Sequence, residues 1–114
     1  MHQTRCDEAD LAAAIRRGAR RRPSQSFGCY YEGQDASCAL GAAYEGMYRL
    51  TRGARPVVSR DLFRLFDCLD YTIRPCPVGC RKRIPLAALI VHLNDDHLWS
   101  RERIAAWLGQ LNSH

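Results

Sequence analysis

The sequence predicts a mainly α fold: one helical domain over residues 1–114 with a minor extended or hairpin element. Three observations lead there. The chain has 114 residues and 13.0 kDa, enough for one domain and short for two. Its 46% hydrophobic and 25% charged residues are the balance of a globular chain, not of a disordered one. Apolar residues recur at helical spacing in several stretches, while the segments that read as extended are short. No apolar run approaches about 18 residues, so no membrane span is expected. The opening MHQTRCDEAD is polar and has no apolar h-region, so it does not read as a secretory signal. A cytoplasmic protein is the expectation.

The elements follow in order. Asp7 or Asp10 can cap a first helix that runs to about Arg22, with Leu11, Ala14, Ile15 and Gly18 on one stripe. Arg16, Arg17, Arg20, Arg21 and Arg22 crowd its C-terminal end, where cations suit the helix dipole. Pro23 stops it. The aromatic stretch SFGCYYE over 26–32 reads as a strand or an ordered loop, and residues 33–35 turn the chain. SCALGAAYEGMYRL over 37–50 reads as a second helix. Ala39, Gly41, Ala42, Ala43 and Gly46 leave so little bulk on it that another element can approach its backbone closely. Residues 51–56 read as a basic loop. Ser59 can cap a short helix over 60–67, and 69–74 (LDYTIR) reads as extended. A cysteine-bearing turn leads to a helix over 84–94, interrupted by Asn94-Asp95-Asp96. Ser100 caps a last helix to about Leu111, with Ile104, Trp107, Leu108 and Leu111 at i, i+3, i+4 and i+7. The helical part is thus 1–67 and a metal-binding helical part is 68–114. Trp99 and Trp107 are expected as core anchors.

The chain carries 17 Lys plus Arg against 12 Asp plus Glu, a net +5 with neutral histidines. Such a balance points to nucleic acid or an acidic protein surface. The excess is spread over both halves, nine Arg against six acids in 1–55 and seven Arg and one Lys against six acids in 56–114. Sixteen of the 17 are Arg, a usage that GC-rich coding also produces. Six cysteines are many for this length. In a reducing compartment clustered cysteines bind metal and isolated ones are small apolar core residues. Cys6, Cys29, Cys38 and Cys68 have no partner at metal-ligand spacing and read as core or neutral.

Cys76-Pro-Val-Gly-Cys80 and His92-Leu-Asn-Asp-Asp-His97 form the pattern C-x3-C-x11-H-x4-H. Two thiolates on a tight turn and two imidazoles at a helix end can surround one Zn²⁺ tetrahedrally. Pro77 and Gly79 supply the turn. The histidines are five positions apart, which on a regular helix rotates one from the other by about 140°. The helix must therefore loosen or end between them. The fourth ligand is open to Cys68, Asp96 or His114 in place of His97.

From 71 to 97 the sequence resembles the zinc finger built from two cysteines and two histidines, over under a quarter of the chain. Ile84 matches the finger's apolar residue four after the second cysteine, and Leu89 its leucine three before the first histidine. Arg74 stands where the finger has an aromatic, and the spacing from Cys80 to His92 is one residue short of the commonest form. The resemblance implies an integrated ββα-like unit with Cys76, Cys80, His92 and His97 as ligands.

A finger that reads DNA displays polar side chains from the first turns of its helix. Here Leu86, Ala87, Ala88, Leu89, Ile90 and Val91 are apolar, and a helix apolar all round is buried. The zinc is therefore read as structural. Two Cys and two His fill all four positions, and no Glu flanks the histidines, so no catalysis is expected. Asp95 and Asp96 read as helix breakers or acceptors from the His N–H groups. The candidate interaction residues are Arg16, Arg17, Arg20, Arg21 and Arg22, then Arg81, Lys82 and Arg83, and then Arg101 and Arg103. The last two would be exposed if SRERIAAWLGQL served as a helix of a helix-turn-helix. The stretch from the cysteine turn through HLNDDHLWSRERIAAWL also resembles the C-terminal part of small phage and prophage proteins. Together these imply a small non-enzymatic accessory or regulatory protein, phage-encoded and working in the host cytoplasm, that binds a protein. The alternatives are a DNA-binding regulator and, third, a zinc hydrolase.

Overall fold

A computed structural model describes residues 8–48, 62–64, 66–80 and 83–111. It is mainly α with two short sheets. Helix α1 (Glu8–Arg21) buries the expected stripe, Leu11, Ala14, Ile15 and Gly18. Acids occupy its first turn and Arg20 and Arg21 its last. After Pro23 come β1 (Ser24–Gln25), β2 (Tyr31–Glu32) and β3 (Ala36–Ser37). The order is β1-β3-β2, with β1 parallel and β2 antiparallel to β3. The stretch expected as one strand or loop over 26–32 is therefore a loop that enters β2.

Helix α2 (Ala39–Tyr48) is shorter than the expected 37–50, because Ser37 is paired in β3. It lies against α1 backbone to backbone. A Cβ on Gly18 would fall on the Ala42 carbonyl, and one on Gly46 on the Ala14 carbonyl. The small residues of α2 are the reason the two helices meet this closely.

Of the helix expected over 60–67, residues 62–64 are helical and 60, 61 and 65 lie outside the described residues. Leu62 and Phe66 are fully buried. The extended reading of 69–74 holds only at its end. Helix α3 (Cys68–Tyr71) is a single turn, closed by Tyr71 N–H to the Asp67 carbonyl and Thr72 N–H to the Cys68 carbonyl. It buries Cys68 and Leu69. Strand β4 (Ile73–Pro75) then pairs antiparallel with β5 (Arg83–Pro85).

Helix α4 (Leu86–Asp95) starts two residues later than expected. Pro85 disfavours a helical residue before it, and Ile84 pairs with Arg74 instead. The hairpin and α4 make the ββα unit. Leu86, Leu89, Ile90 and Leu93 are buried, but Ala88 and Val91 are exposed. The helix is therefore not buried all round: among the described residues, none covers that face. Helix α5 (Arg101–Gln110) has the predicted cap, with Arg103 N–H donating to Ser100 Oγ at 3.0 Å. Ile104 and Leu108 enter the core. Trp99 and Trp107 are half-buried at its edge, short of the core anchors expected.

Polar side chains tie the sheet to the end of α4. Buried Asn94 accepts from Gln25 Nε2 (2.8 Å) and from Ala39 N–H (3.1 Å), and donates to the Ser26 carbonyl (3.0 Å). Gln25 also donates to the Trp99 carbonyl and accepts from Arg101 N–H. Asn94, read from sequence as a helix breaker, is the pin that joins four segments.

Candidate metal centre

Four donors converge where the hairpin meets α4. Cys76 follows β4 directly. The turn after it closes through Gly79 N–H to the Cys76 carbonyl (3.1 Å), with Gly79 at φ +105°, a region that glycine adopts without a Cβ clash. Cys80 then faces the same side as Cys76. His92 sits on the last turn of α4 and His97 just beyond it. The rotation problem is solved by the helix end. The His92 carbonyl accepts from Asp96 N–H (2.9 Å) and also from His97 N–H (3.2 Å), a five-residue closure that brings the second ring round to the first. Leu98 then takes a left-handed backbone (φ 56°) that turns the chain toward α5.

The ligand atoms of Cys76, Cys80, His92 and His97 all lie within 4.8 Å of one another. His97 Nε2 is 3.6 Å from Cys76 Sγ and 3.4 Å from Cys80 Sγ. A tetrahedron with metal–sulfur bonds of about 2.3 Å and metal–nitrogen bonds of about 2.0 Å has sulfur–nitrogen edges of about 3.5 Å. The imidazoles meet edge to face, centroids 4.5 Å apart at 80°.

His92 supplies an independent sign. Its Nδ1 is 2.7 Å from Asp96 Oδ2. A carboxylate only accepts, so Nδ1 is the donor of this pair, and in the neutral ring that leaves the lone pair on Nε2. That Nε2 is buried and has no hydrogen-bond partner among the described residues; Arg74 Nε on β4 is the other such nitrogen. A buried lone pair without a donor, aimed into a group of thiols and a second imidazole, fits a metal ion. Among the alternatives for the fourth ligand, Cys68 is buried outside the cluster and Asp96 orients His92, while His114 lies outside the described residues. Asp95 is the last residue of α4, as its reading as a helix breaker expects, and its carboxylate accepts from Gly28 N–H (3.0 Å) rather than from a histidine.

The candidate interaction residues are dispersed. Arg16 binds both Glu102 carboxylate oxygens through one guanidinium edge, Nη2 at 2.8 Å and Nε at 3.0 Å. That contact holds the Glu102 carboxyl below the usual carboxylate range. Arg17 donates to the Gly46 carbonyl (3.2 Å). Arg20 is exposed. Arg21 and Arg22 both turn onto Glu45, which is 1% exposed. Arg22 is 5% exposed, donates to the Gln34 carbonyl (3.0 Å) and lies over the Tyr31 ring. Burial pushes the Tyr31 hydroxyl pKa up, and that hydroxyl donates to the Gly41 carbonyl.

Arg101 corrects the expectation that it faces outward. It is 6% exposed, and its guanidinium donates to the carbonyls of Arg22 and Pro23 and to Ser37 Oγ. Its carbonyl cradle exists only once the end of α1 crosses the start of α5. Arg103 is exposed and stacks on Trp99 at 4.0 Å. Arg83 is exposed on β5, and Arg81 and Lys82 lie outside the described residues.

Glu45 is the residue sequence reasoning missed. Its signal was an acid on an otherwise apolar helix, opposite an arginine run. No protein family, curated protein or solved structure matches the chain.

Proposed function

We propose that this chain holds one structural Zn²⁺ and acts as a non-enzymatic accessory or regulatory protein that binds another protein. The observation that carries the metal reading is the convergence of two thiols and two imidazoles, one of them with an orphaned, buried Nε2. Two sulfurs and two nitrogens suit zinc among the common biological divalent ions. Bound there, the ion cross-links the hairpin turn to the end of α4. Four protein ligands leave no open position for a substrate or water, so the reading is structural and not hydrolytic.

A protein partner is preferred to DNA because four of the arginines read as an interaction surface are engaged within the molecule. Arg22 and Arg101 are buried, and Arg16 and Arg21 sit on carboxylates. The helix after the cysteine turn presents Ala88 and Val91 outward, which have nothing to offer a base edge. The phage-type resemblance, carried by the stretch from the cysteine turn through HLNDDHLWSRERIAAWL, supports an accessory role and adds no activity.

Metal analysis of purified protein should find one zinc per chain. Cobalt substitution should give the visible absorption of a tetrahedral thiolate site. A chain without stoichiometric metal whose unfolding ignores chelator would overturn the metal reading. Retardation of random duplex DNA that falls steeply with salt would overturn the preference for protein.

A further inference from the structure

A cavity of about 270 Å³ opens on a different face of α4 from His92. Its walls come from three separate segments: the loop before β2, the start of α2 and the last two turns of α4. Leu40, Ile90 and Val91 make it apolar, and the thiols of Cys29 and Cys38 border it. Burial pushes the Cys38 thiol pKa up, and the Asp95 carboxylate adds to that rise, so this wall carries no charge of its own.

The polar chemistry is confined to one atom pair. The Asn94 amide at the cavity edge is used up by four hydrogen bonds. Asp95 Oδ1 accepts from Gly28 N–H and from Asn94 Nδ2 (2.7 Å). Its Oδ2 has no hydrogen bond among the described residues. Among the described residues Asp95 is the only charged side chain in the lining, so the cavity is a local negative site on a chain of net charge +5.

Size narrows the occupant. An apolar cavity of about 150 Å³ takes benzene, and drug-sized ligands need about 300–1,000 Å³. This volume suits one aromatic or branched side chain. We propose that the cavity is the docking pocket for a partner protein's exposed Phe- or Leu-sized side chain with a Lys or Arg beside it. The apolar group fills the slot between Leu40 and Val91, and the cation meets Asp95 Oδ2. The inference deepens the protein-partner reading and rests on it; it does not depend on the metal.

The test uses the full chain, ¹⁵N-labelled, and two probes: the blocked dipeptides acetyl-Phe-Lys-amide and acetyl-Phe-Glu-amide. The Phe-Lys probe should shift the amides of Gly28, Cys29, Ala39, Val91 and Asp95. It should bind about fivefold more tightly than Phe-Glu, or more, the effect of one charge pair near water. D95N keeps an oxygen to accept from Gly28 and Asn94 while removing the charge, so it should bind both probes equally. V91F, which narrows the mouth and leaves the Asp95 charge in place, should abolish both. Equal affinity of the wild type for the two probes, shifts outside these residues, or no binding would overturn the pocket. Zinc content of the same sample is read separately, so a failed pocket is not mistaken for a failed metal site.

Discussion

The seam between α1 and α2 and the corner between the β4–β5 hairpin and α4 are held by opposite means. In the seam, glycines and alanines let two backbones touch, and every neighbouring bulky group adds dispersion. Buried Glu45 with Arg21 and Arg22 then locks the register. In the corner, almost nothing apolar is buried by the hairpin itself. Ile73, Pro75, Arg83 and Pro85 are all exposed, and each strand has three residues. Two such strands do not stand alone in water. On the proposed reading, a metal ion held by the four donors fastens them to α4. The seam is then stable by shape and the corner by coordination, and the two should answer to different perturbations.

The largest separation comes from removing both thiols. Structural zinc in small domains contributes about 10 kcal/mol or more to folding. C76S together with C80S should leave no bound metal and remove hydrogen-exchange protection from β4, β5 and the last turn of α4. Chelator should do the same to the wild type. If the double variant unfolds in urea as the wild type does, the corner is held by packing after all.

The seam has its own breaking point in Glu45. Removing its carboxylate leaves the Arg22 guanidinium buried without its counter-ion, a change that costs about 3–5 kcal/mol. E45A should lower the unfolding free energy from urea titration by about that amount while the surviving folded protein still carries one zinc. A variant that lost metal and stability together would show that the two regions are not separate.

Much of this division was legible in the residues and some was not. The small-residue stripe of α2 announced a close neighbour, and the cysteine and histidine spacing announced a cluster. Ser100 announced α5. Pro85 carried the true start of α4, and reading the residue before a proline as extended would have found it. Arg101 and Arg22 were read as surface because arginine usually is. Their inward turn depends on backbone carbonyls that face them only after distant segments cross. Tyr71, Thr72 and Ile73 favour extended structure by type and colour the reading of 69–74, but burying Cys68 and Leu69 closes a helical turn over Cys68–Tyr71. Val91 is exposed because none of the described residues packs over that face of α4, and periodicity does not report that.

A smaller effect is expected from Asp96, which touches the metal corner only through His92. Without the carboxylate, Nδ1 has no acceptor and the ring is free to choose the other tautomer. Loss of such a partner weakens metal binding about 10–100-fold. Asp96 is exposed, so D96A belongs at the low end, about tenfold in a chelator competition. D96N keeps an acceptor and should recover most of the affinity. Equal loss in both variants would mean that charge, not tautomer, is what Asp96 supplies.

The smallest effect tests whether anything outside the corner answers to acid. Arg16 joins α1 to α5 through Glu102 and holds that carboxyl below its usual range. A depressed carboxyl contributes stability that is fully present above its unfolded value and is lost as pH falls through its folded value. The pair is exposed, so it is worth at most about 1 kcal/mol and shrinks with salt. Acid also protonates thiolates and releases metal, which would mask so small a term in the wild type alone. E102Q carries the same metal corner, so the difference between variant and wild type cancels that loss. The gap between their urea midpoints should be present at neutral pH and close below the ordinary glutamate range. A gap that persists in acid would assign the effect of Glu102 to packing rather than charge.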